Sequence, residues 1–82
     1  MTLNERMARW HTLDVDQLLD ENIDLLRIVA SIKNDLDRLS AFAGSPARQM
    51  LESRRRSYGV AVQRLQTLIK RKRRERVKEL RR

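Results

Sequence analysis

The stretch AGSPA, residues 43–47, constrains the fold most, because it joins glycine to proline in a chain of 82 residues that holds only two glycines and one proline. Gly44 suits the left-handed residue just after a helix, Ser45 the N-cap of the next one and Pro46 its first turn. One helix therefore ends here and another begins. So short a connection makes the two antiparallel neighbours.

Upstream, Val15, Leu18, Leu25, Val29, Ile32, Leu36 and Leu39 recur at alternating steps of three and four once Asn22 is counted in. This heptad stripe predicts a helix over about 14–43, with Asp14 and Gln17 as its N-terminal cap. Leu19, Ile23 and Leu26 widen the stripe on one flank and Ile28 on the other, beyond what a single neighbouring helix covers. Downstream, Ala47, Met50, Leu51, Tyr58, Ala61, Val62, Leu65, Leu68 and Ile69 predict a second helix over about 46–80, with Arg54 standing where an apolar residue is expected. Ser57, Gly59 and Ala61 are small enough to let a neighbouring backbone come close. Near the start, Leu3, Met7 and Trp10 share a face behind a Thr2/Glu5 capping box, which makes room for a short third helix over about 2–10. Trp10 has two readings, a core anchor folding back on the hairpin or an exposed anchor for a partner.

The expected fold is a single all-α domain over 1–82, an antiparallel two-helix hairpin with that N-terminal helix, completed by a partner or by dimerisation. Leu18, Leu25, Val29, Ile32, Leu36, Leu65 and Leu68 are the expected best-buried positions. Leu19, Ile23, Leu26, Ile28 and Trp10 are the expected partner contacts.

Charge divides at the same loop. Residues 1–44 carry 5 Lys/Arg against 8 Asp/Glu, whereas residues 45–82 carry 14 against 3. The halves attract each other and leave a positive surplus for an acidic partner. That surplus peaks in the basic C-terminal extension, residues 70–82, where Lys70, Arg71, Lys72, Arg73, Arg74, Arg76 and Lys78 suit phosphate neutralisation or nuclear localisation. No aromatic interleaves them, so base stacking is not expected.

Other chemistry is sparse. The chain has no cysteine and one histidine, His11, which excludes disulfides and thiolate metal sites; no cofactor, metal or small-molecule substrate is expected. There is no phosphate-binding glycine loop and no nucleophile–base pair, so the chain does not read as an enzyme. No apolar run matches a membrane span or a secretory signal, and the expected location is intracellular, nuclear in a eukaryote and otherwise cytoplasmic.

Residues 18–29, LLDENIDLLRIV, combine the most apolar dozen with a polar triad. Asn22 falls at an inward position between Leu18 and Leu25, where a buried amide sets the register because it must find a hydrogen-bond partner. Asp20 and Asp24 project outward. Glu21 is placed to pair with an arginine of the second half, and Arg54, Arg55, Arg56 and Arg64 are all open candidates.

The same dozen resembles the start of the SSXT-type helical domain of the synovial-sarcoma-translocation and growth-regulating-factor-interacting coactivators. That pattern is a leucine, Asp-Glu-Asn, two variable residues and a pair of aliphatics, matched by Leu19, Asp20, Glu21, Asn22, Leu25 and Leu26, with Val29 beyond. ARQMLESRRRSYGVAVQRL, with Gln49, Met50, Leu51 and Tyr58, is similar to the family's second helix, and the likeness covers about residues 15–65. The chain differs in an extra heptad, Leu36 to Ala43, and in its basic helix. The resemblance implies a transcriptional coactivator or chromatin-remodelling subunit that docks partner helices on an apolar hairpin face. A nucleic-acid-binding helical protein and a small coiled-coil antagonist of a transcription factor are the alternatives from the residues themselves.

Overall fold

The computed structural model describes residues 1–39 and 44–80. It contains helices α1 (Leu3–Arg9), α2 (Val15–Arg38) and α3 (Pro46–Leu80), with a single 3₁₀ turn, Trp10–Thr12, between α1 and α2. Among the described residues all regular structure is helical, and α2 and α3 pack against each other as a hairpin. The start of α2 lies beside the late part of α3, where Lys72 Nζ donates to the Leu13 carbonyl at 2.6 Å.

Local chemistry sets the helix starts. Thr2 Oγ1 accepts from the Glu5 N–H at 3.2 Å to open α1. Asp14 and Gln17 form a reciprocal capping box at the head of α2, with Gln17 N–H donating to Asp14 Oδ1 at 2.8 Å and Asp14 N–H to Gln17 Oε1 at 3.0 Å. Ser45 Oγ accepts from the Arg48 N–H at 3.2 Å to open α3. Each such cap contributes about 1 kcal/mol by satisfying an amide with no partner inside its helix. α2 is described to Arg38 with Leu39 as its C-cap, whose N–H bonds the Asp35 and Leu36 carbonyls at 3.1 Å each, a tightened last turn; its expected end at 43 falls beyond this. Residues 40–43 lie outside the described residues.

The core forms on one line of α2, where Leu18, Leu25 and Ile32 recur every seventh residue and are buried. Leu18, Leu25 and Trp10 join Ala61, Val62, Leu65, Leu68 and Ile69 of α3 in one apolar cluster, with Leu3, Met7 and Leu13 packed on it from the N-terminal side. Val29 and Leu36, expected among the best buried, are only half-buried. With Asn22, also half-buried, they form the second line of the stripe, seven residues apart, beside the buried line of Leu18, Leu25 and Ile32 that faces the core. Arg54, at the position where an apolar residue was expected, lies over the Tyr58 ring with 5.8 Å to its centroid.

The two glycines have opposite expected effects. Gly44 has φ +83°, a conformation that disfavours any side chain, so Gly44→Ala costs about 1 kcal/mol even though its Cβ meets nothing within 4 Å. Gly59 sits inside α3, and a Cβ there also meets nothing within 4 Å, so the close backbone approach expected at Ser57–Ala61 does not occur at Gly59. Gly59→Ala therefore gains about 1 kcal/mol of helix stability. Urea unfolding of both variants beside the parent chain checks the two signs.

Candidate protein-docking face

α1 packs on one side of the hairpin. Arg6 Nε donates to Glu21 Oε1 at 2.6 Å and its Nη2 lies 3.9 Å from Asp24 Oδ2. The hydrogen bond to Glu21 raises the Arg6 pKa above its ordinary value, against the opposing effect of burial. Glu21 thus pairs with α1, not with an arginine of the second half. The charge asymmetry between the halves points to a partner in the basic half, whereas the short step from α1 to α2 brings Arg6 back to Glu21. On the other side of α1, Met7 and Trp10 face Arg64, Leu68 and Arg71 of α3. Trp10 is 4% exposed, which fits the core-anchor reading and removes it from the outer surface.

Among the described residues the opposite flank of α2 has no such cover. At about 100° per residue, Leu19, Ile23, Leu26 and Ala30 fall within an arc of about 60°, turned well away from Glu21 and Asp24. Their spacing is four, three, four, so α2 carries a second seam beside the one that faces α3. Ile23 is 49% and Leu26 44% exposed; Ala30 is exposed too, while Leu19 is half-buried and leans on the core. Ile28, on the other side of α2, is half-buried against the core. The structure therefore brings Ile23 and Leu26 together on the open face with Leu19 at its edge, and separates Ile28 and Trp10 from them. Ala30 belongs to this seam and was not singled out in the sequence; its place one heptad after Ile23 is the signal that would have found it.

Charged residues border the seam. Asp16, Asp20, Arg27 and Lys33 are exposed, and among the described residues none of them makes an ion pair. Asn22 lies half-buried on the inner side of α2, and its Oδ1 is buried without a hydrogen-bond partner among the described residues, as is Trp10 Nε1. No register-setting hydrogen bond from Asn22 is therefore seen. A buried acceptor left unpaired costs about 1–3 kcal/mol, so Asn22→Leu is expected to raise the melting temperature of the chain.

The basic residues separate into two groups. Lys72 is half-buried and held by its bond to Leu13, whereas Lys70, Arg71, Arg73, Arg74, Arg76 and Lys78 are exposed along α3. Exposed Val77 and Leu80 interrupt them. Among the described residues no group of three or more His, Asp and Glu side chains is arranged to hold a metal ion, and His11 is exposed. No described helix is long and apolar enough to cross a membrane.

Comparison with protein-family models, with curated proteins and with solved structures found no match. The seam on the outer flank of α2 is accordingly read from its own geometry.

Proposed function

We propose that the chain is a non-enzymatic protein-interaction module that packs another helix along the outer flank of α2. The observation that carries this reading is the heptad spacing of Leu19, Ile23, Leu26 and Ala30 on a face that neither α1 nor α3 covers. Docking is by helix packing: apolar side chains of an incoming helix fill the spaces between those of the seam, and the bordering charges select its direction. The likeness of Leu19–Asn22 and the following aliphatics to the SSXT-type pattern supports a place in a transcription-regulating assembly, nuclear in a eukaryotic host. In that use Asp20 is the outward member of the polar triad, while Glu21 and Asn22 serve the chain's own packing.

The test is the native mass of the tagged chain in its own cells. The wild-type chain runs in an assembly larger than itself, and an Ile23→Asp/Leu26→Asp variant of unchanged helicity runs alone. Equal masses for the two would refute the reading.

A further inference from the structure

We propose that the outer flank of α2 is a self-association surface, on which α2 of a second copy lies antiparallel about a two-fold axis passing between residues 24 and 25. The inference rests on the docking reading above and names the occupant. The charge pattern along the seam decides it. In an antiparallel pairing about that axis, Ile23 meets the partner's Leu26 and Leu19 meets the partner's Ala30, a large residue against a small one. The same register carries Asp16 to the partner's Lys33 at each end of the seam. On its outer border Asp20 comes beside the partner's Arg27.

Asp16 therefore meets a basic residue at the position related to it by the two-fold axis, Asp20 has Arg27 two residues from its related position on the border, and every contact is made twice, as an isologous interface requires. A parallel pairing would instead set Asp16 and Lys33 each against its own copy, two like-charge contacts, and would leave Asp20 and Arg27 without a charged counterpart. The pattern is self-complementary in one direction and self-repelling in the other. All four charged side chains are exposed and, among the described residues, without an ion pair in their own chain, although Asp20 borders a cleft with Arg6 and Arg9 and Asp16 one with Lys72 and Arg76.

The absence of cysteine from the chain makes the geometry directly readable. Purified full-length Ile23→Cys and Leu26→Cys proteins are mixed and oxidised, and the charge pairs are probed by Arg27→Asp alone and combined with Asp20→Arg. The expected results are a mixed disulfide between Cys at 23 and Cys at 26 in excess over either self-disulfide, about a tenfold loss of dimer affinity in Arg27→Asp, and its recovery in the double variant. Unchanged circular dichroism in each variant confirms that the fold is intact. Preferential self-disulfides at 23 and at 26 would overturn the antiparallel register. A purified chain that stays monomeric overturns the second copy as occupant; if the chain nevertheless runs in a larger assembly in its own cells, helix docking stands and the occupant is a different protein.

Discussion

Leu25→Ala lowers the stability of the chain by about 2–5 kcal/mol, which corresponds to a fall in melting temperature on the order of 10–30 °C for a domain of this size. Leu25 is 0% exposed and sits mid-way along the inner line of α2, in the cluster with Leu65, Val62 and Trp10. Removing its isobutyl group leaves a cavity between two long helices, each held straight by its own hydrogen bonds and so slow to close the gap. A domain of 82 residues has a total stability of roughly 4–12 kcal/mol, so the loss is a large share of the whole. Thermal unfolding followed at 222 nm, at matched protein concentration, checks the value.

Leu26→Asp, one residue further on, has the contrary signature. Leu26 is 44% exposed, so its replacement removes little from the chain's own core, and the local cost is mainly a helix-propensity penalty of about 0.5 kcal/mol. At the docking seam the same change buries an unpaired carboxylate twice across a two-fold interface, which lowers self-association on the order of 100-fold or more. Sedimentation velocity measures the association and circular dichroism the fold. Loss of helicity in Leu26→Asp equal to that in Leu25→Ala would place Leu26 in the internal core and end the distinction between the two seams.

That distinction was half legible in the sequence. The inner line of Leu18, Leu25 and Ile32, the caps at Asp14 and Ser45 and the left-handed Gly44 follow from spacing and local hydrogen bonding, which depend on residues only a few positions apart. The apolar excess of α2 was also plain, but not which part of it remained open. Leu19, Ile23 and Leu26 on one flank and Ile28 on the other extend the stripe alike in a helical projection; only the placement of α1, fixed by Trp10 and by Arg6 on Glu21, decides which flank is covered. Such tertiary choices arise between residues 15 apart and more, where periodicity carries no information. The same limit explains Lys72, which reads as one more member of a basic run until its bond to the Leu13 carbonyl is seen. Arg54 reads as a break in the second stripe because its stacking over Tyr58 is a matter of side-chain direction.

Sedimentation equilibrium of the purified wild-type chain across the micromolar range, with Leu26→Asp run beside it, tests most directly whether the outer seam of α2 is completed by a second copy. The wild-type mass is expected to rise with concentration to twice the chain mass of 9.8 kDa while Leu26→Asp stays at 9.8 kDa. A wild-type chain that sediments at 9.8 kDa throughout, indistinguishable from the variant, would contradict it.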